Sequence, residues 1–215
     1  MTLKPSTPWE VNLLCLDLTD NFVTTLWATS AFLNTFELLY GPREVELVGS
    51  VATQDSDEIT TALYTSSDIL HLMSHARSDG AVSGKRTLLK VIEWSKRYFS
   101  EDLVNFIYES GEYPDVECLL FDACETASRT WLTMLRRVVP SGQTLTLLGT
   151  TRQVGVDETL VYTLAFYQCL LAKPKALSRE DRFGQYQAAH DFAAGAFKQV
   201  TRKKCPFVLK IVQGH

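Results

Sequence analysis

A cysteine is a nucleophile only as its thiolate, and it becomes a catalyst when a base stands within reach and an element end holds it in place. Cys124 follows the apolar run Val116–Phe121 through Asp122 and Ala123, just ahead of a helical pattern expected to open at about Thr126. A helix amino terminus so close behind it would favour the thiolate. His75 directly follows a second apolar run, Ile69–Ser74. An imidazole there would act as general base and later protonate the leaving group. Asp122 precedes Cys124 by two positions, so on extended backbone the two share a face, and the carboxylate could receive a basic substrate side chain. Each residue also has a bland alternative: a small core cysteine, a structural histidine, an aspartate that caps the next helix. The coincidence of a histidine and a cysteine at the ends of two strands makes them a candidate pair.

Those ends are useful only if the strands lie side by side, which depends on the order of the elements. The order is strand Val11–Leu16, helix Phe22–Tyr40, strand Val45–Val51, short helix Asp57–Tyr64 and strand Ile69–Ser74. Beyond a small, glycine-containing loop or ribbon at Arg77–Arg86 come helical patterns at Leu88–Tyr98 and Glu101–Glu109 and a strand at Val116–Phe121. A helix then runs to Val138, a strand spans Thr144–Leu148, one helix starts near Asp157 and another at Ser178, and Phe207–Val212 forms a sixth strand. Strands alternating with helices predict an α/β fold with a parallel sheet and right-handed crossovers. The strands read as continuous apolar runs, as expected when both faces of a sheet are covered. In such sheets functional groups gather beyond the carboxyl ends of the strands.

The chain has 215 residues, of which 46% are hydrophobic and 21% charged, which suits one globular domain over 1–215. Lys and Arg number 21 against 25 Asp and Glu, a net charge of −4. No basic field exists to hold a phosphate backbone, so nucleic acid is not an expected partner. Five widely spread cysteines without a C-x-x-C pair indicate neither a disulfide framework nor a zinc cluster. No metal or cofactor is called for. The amino-terminal segment has no secretory h-region and no apolar run is long enough to span a bilayer, so a soluble, cytoplasmic protein is expected.

The sequence resembles the caspase-like cysteine peptidases, and most the bacterial CHAT branch, over roughly Val11–Val212. The resemblance rests on the order strand, His75, strand, Asp122-Ala123-Cys124, on Leu147-Leu148-Gly149-Thr150-Thr151 with Val154 and the helix from Asp157, and on the closing strand at Phe207. His75 and Cys124 stand 49 positions apart (124 − 75), close to the roughly 50 of the caspase signature. The resemblance implies a caspase-like three-layer sandwich with a mostly parallel six-stranded sheet flanked by helices. It implies a cysteine endopeptidase in which Cys124 attacks the peptide carbonyl, His75 assists, and the backbone amides of Ala76 and Cys124 hold the oxyanion. Asp122 would select Arg or Lys at P1, as in metacaspases and paracaspases, and either Asp157 or Glu158 would supplement it in the wall of the pocket. It further implies a protein or peptide substrate, and a regulated enzyme of bacterial defence or signalling with an activating or restraining protein partner.

One position departs from the family: Ala76 stands where glycine is usual, and a requirement for φ > 0 there would strain alanine and misplace the oxyanion donor. That departure motivates a second expectation, a catalytically silent CHAT-like interaction module. A third is a signalling or flavodoxin-like domain whose histidine and cysteine are incidental. Among the weaker features, Gly80–Arg86 lacks the spacing of a phosphate loop. Asp157 is more simply a helix N-cap, and His71 reads as a hydrogen-bonded core histidine with a supporting role as the sharper alternative.

Overall fold

The computed structural model describes residues 7–16, 20–41, 44–53, 55–76, 82–83 and 116–214. In chain order these form β1 (Trp9–Cys15), α1 (Asp20–Tyr40), β2 (Val45–Ala52), α2 (Ser56–Tyr64), β3 (Ser67–Met73), β4 (His75–Ala76) and β5 (Val82–Ser83). They continue with β6 (Val116–Asp122), α3 (Arg129–Val138), β7 (Thr144–Thr150), α4 (Val156–Leu171), α5 (Arg179–Thr201) and β8 (Phe207–Gln213). The helical patterns expected at Leu88–Tyr98 and Glu101–Glu109 lie outside the described residues, as does most of the loop expected at Arg77–Arg86.

Six strands form one sheet in the order β2-β1-β3-β6-β7-β8. All neighbours are parallel except β8, which runs antiparallel to β7. The central strands are apolar throughout because both their faces are covered: every residue of β3 is buried, as is all of β6 but one. Alternation then divides the side chains between two cores. Ile69, Cys118 and Leu120 pack with α1, α4 and α5, whereas Leu70, Leu119 and Phe121 pack with α2 and α3. The molecule is thus a three-layer α/β sandwich with a mostly parallel sheet in the middle, as the alternation of elements predicts.

The helix starts are set by side-chain caps. Asp55 accepts from the amides of Asp57 and Glu58 to open α2, and Ser178 accepts from Asp181 N to open α5, the residue expected to do so. At the amino end of the sheet, Lys175 Nζ sits 2.6 Å from Asp68 Oδ2, which also accepts the Glu10 amide, and the Arg182 guanidinium pairs with Glu117. These pairs tie the long carboxyl-terminal helix and its approach to β1, β3 and β6, at the end of the sheet opposite Cys124.

Candidate functional site

β3 and β6 are parallel neighbours, with Met73 opposite Asp122, and the Ser74 amide donates to the Asp122 carbonyl at 3.2 Å. His75 and Cys124 each follow that paired level by two residues. The register therefore brings both backbone positions to the carboxyl edge of adjacent central strands. His75 and Ala76 then form β4, pairing antiparallel with Ser83 and Val82 of β5, so the loop expected after the third strand begins as a small ribbon. Ala76 lies in extended backbone and is not among the residues with positive φ. The strain anticipated for alanine at this position does not arise, because a strand conformation suits any L-residue.

Cys124 is half-buried, and its Sγ lies 3.9 Å from the Val154 carbonyl in the β7–α4 connection. The helix expected to open near Thr126 starts only at Arg129, capped by Ser128. Residues 124–127 form a turn instead, with Glu125 in the left-handed region at φ 56°. Cys124 is thus a turn residue more than one helical turn from α3, outside the first turn over which a helix macrodipole acts. The turn is held from β7. Thr150 Oγ1 donates to the Ala123 carbonyl at 2.6 Å, the Thr150 amide donates to Thr126 Oγ1 at 3.1 Å, and the Ala127 amide donates to the Thr150 carbonyl at 2.9 Å. Gly149 permits this contact: a Cβ there would stand 2.8 Å from Thr126 Oγ1 and 3.2 Å from the Ala127 amide nitrogen.

Asp122 is wholly buried on the α4 side of the sheet. Its Oδ2 lies 2.9 Å from His71 Nε2, and Thr163 Oγ1 donates to both carboxylate oxygens at 3.0 and 3.2 Å. The His71 N–H does not point straight at the oxygen, so this contact is electrostatic more than a linear hydrogen bond. Tyr167 OH sits 3.2 Å from His71 Nδ1. An imidazole protonated on Nε2 satisfies both neighbours, facing the carboxylate with one nitrogen and accepting from Tyr167 with the other. His71 is therefore the hydrogen-bonded core histidine that its strand position suggests, and its partners come from β6 and α4. The Asp122 carboxylate is closed to solvent and already partnered in this state.

Asp157 is exposed in the first turn of α4, but Gly155 occupies the N-cap position, so Asp157 does not cap the helix as its position suggests. No side chain takes the N-cap role; the Glu158 carboxylate, three residues on, accepts the amide of Gly155 itself at 3.4 Å. The Arg152 guanidinium at 3.0 Å and the Lys203 ammonium at 2.8 Å hold this carboxyl down to about 2. The basic stretch before β8 is thus engaged in part with the wall next to Cys124.

Of the other cysteines, Cys15 and Cys118 are buried, and burial pushes the Cys118 thiol well above its ordinary value. Burial also raises the Cys205 thiol. Among the described residues no group of three or more His, Cys, Asp or Glu could hold a metal ion, and no helix is long and apolar enough to cross a membrane. Comparison with models of known protein families finds no match, and neither does comparison with curated proteins.

Sequence reasoning passed over Thr126, Thr150, Thr163 and Tyr167. Thr163 and Tyr167 stand four apart on α4 and so share a helix face, a spacing that marks them as possible partners for a group on the sheet.

Proposed function

We propose that this protein is a cysteine endopeptidase of the caspase-like, CHAT type that cleaves after Arg or Lys. The single observation that supports it most is the register of β3 and β6, which brings the His75 and Cys124 positions to the same edge of adjacent strands. In the reaction the Cys124 thiolate adds to the scissile carbonyl carbon and the carbonyl electrons move onto oxygen. Collapse of that oxyanion expels the amine, which takes a proton from the His75 imidazolium, and leaves a thioester. Water, deprotonated by His75, hydrolyses the thioester and frees the thiol. The Cys124 and Ala76 amides are the oxyanion donors, Asp122 is the carboxylate for a basic P1 side chain, and exposed Asp157 is a secondary acidic wall. Because Asp122 is closed off beside His71, P1 binding requires its cover to open and the cation to share a carboxylate that already holds Thr163. We place the protein among regulated peptidases of bacterial defence or signalling, with a protein partner that opens or restrains the site.

The burial of Asp122 also favours a second reading, a silent interaction module in which the carboxylate is a core group. The two separate by intact mass after incubation with peptide chloromethyl ketones carrying Arg, Lys or Asp at P1. The peptidase reading expects an adduct with the Arg and Lys probes that disappears in Cys124→Ala and weakens in Asp122→Asn. No adduct with any probe, while peptides still bind, favours the module.

A further inference from the structure

The peptidase reading leaves open what aims the Cys124 amide, and the turn before α3 supplies a candidate. The peptide bond is planar and trans, so the Ala123 C=O and the Cys124 N–H point in opposite directions across one rigid plane. Whatever fixes the carbonyl also fixes the amide. Thr150 Oγ1 donates to that carbonyl at 2.6 Å, both residues being buried. Thr126 Oγ1 is 3.5 Å from the same carbonyl and accepts the Thr150 amide at 3.1 Å, so the two threonines brace each other. The neighbouring amides are engaged elsewhere: Glu125 N donates to Arg152 O and Ala127 N to Thr150 O. Among the described residues the Cys124 amide has no acceptor.

We propose that Thr150, braced by Thr126, is a positioning residue that turns the Ala123–Cys124 peptide so that the Cys124 N–H faces the oxyanion formed on the substrate carbonyl. This rests on the peptidase reading above. Preorganised donors matter because they are not reoriented while charge develops, and removing a single donor typically costs about 10²–10³ in rate. Loosening one without removing it should cost less, roughly tenfold or more in kcat.

The decisive comparison sets a reaction that makes an oxyanion against one that does not. Peptide chloromethyl ketones and peptide substrates pass through a tetrahedral oxyanion, whereas iodoacetamide alkylates the same sulfur by direct displacement. Thr150→Val keeps the shape and removes the hydroxyl, Thr150→Ser restores it, and Thr126→Val tests the brace. With unfolding midpoints recorded beside them, Thr150→Val is expected to lower kcat and chloromethyl ketone inactivation about tenfold, with KM and iodoacetamide alkylation of Cys124 within about twofold of wild type. Thr150→Ser is expected to recover most of the loss, and Thr126→Val to fall between. If both reactions fall together, Thr150 merely shapes the turn and the positioning role is overturned. It is equally overturned if Thr150→Val is as active as wild type. Wild type that alkylates with iodoacetamide but reacts with no peptide probe overturns the peptidase reading itself, and the oxyanion role with it.

Discussion

Asp122 Oδ2 and His71 Nε2 lie 2.9 Å apart with both side chains shut away from water, one on β6 and the other on the neighbouring strand β3. With the imidazole neutral, removing Asp122 strands a buried N–H and removing His71 strands a buried carboxylate, at a cost of about 1–3 kcal/mol or more, whereas replacing both by well-packed apolar groups is often close to neutral. Asp122→Ala should therefore destabilise strongly, and His71→Leu with Asp122→Leu should be milder than the single change. Urea denaturation of the two single variants and the double variant checks this. Additive losses would show that the pair is not coupled.

The five cysteines should differ in reactivity. Cys15 and Cys118 are buried, and the Cys118 thiol is raised by that burial, while Cys124 is half-exposed. Only thiolates react, so native alkylation at pH 7.5 should reach Cys124 well before Cys118, and Cys118 at a rate set by opening of the fold. Peptide mapping after timed alkylation reads the order. Equal labelling of Cys118 and Cys124 would contradict the packing described for β6.

Glu158 carries a pH signature. Its carboxyl is held near 2 against an ordinary 4.5, first by the Arg152 hydrogen bond. A group whose pKa is lower in the folded than in the unfolded state stabilises the fold above the unfolded value, and that stabilisation is lost as pH falls through the folded one. Wild type should exceed Glu158→Gln in stability by about 1 kcal/mol at pH 7, a modest figure because Lys203 is mostly and Arg152 partly solvent-exposed. The gap should narrow between pH 4.5 and about 2 and shrink in high salt. Thermal melts across that range test it, and a gap that widens in acid would reverse the assignment.

Stability and reactivity should separate at the opposite end of the sheet. Lys175 and Asp68 are nearly buried, so Lys175→Met leaves a poorly solvated carboxylate and should cost about 2–3 kcal/mol. Yet the pair belongs to the amino end of β3, remote along the strand from Cys124. The alkylation rate of Cys124 should match wild type at temperatures where the variant is folded. A large change in that rate would mean the two ends of the sheet are coupled.

The sheet was legible in the sequence because both its faces are covered. Continuous apolar runs such as those of β3 and β6 carry the pattern of a buried strand wherever they occur, and each strand ends within one residue of the end expected for its run. Lateral relationships were harder to read. That Asp122 meets His71, and that Thr163 and Tyr167 reach them from α4, depends on register and helix placement, which local pattern does not fix. The helical pattern before α3 reaches back to Thr126, but the Thr126 hydroxyl serves Ala123 and Thr150, Glu125 adopts a left-handed turn, and the helix starts only after its cap at Ser128. Asp157 looks like a cap but stands inside the helix, which already begins at Val156 behind Gly155, leaving Glu158 to reach back to the Gly155 amide.

The turn carrying Cys124 has a consequence for synthesis on the ribosome. Its bracing residue, Thr150, ends β7, whose outer neighbour is β8, with Thr150 opposite Phe207 and Thr144 opposite Gln213. Until Phe207–Gln213 has docked, β7 is the open edge of the sheet, held in register from one side only, by β6. The strand that carries the bracing Thr150 is therefore held on both sides only once β8 has docked.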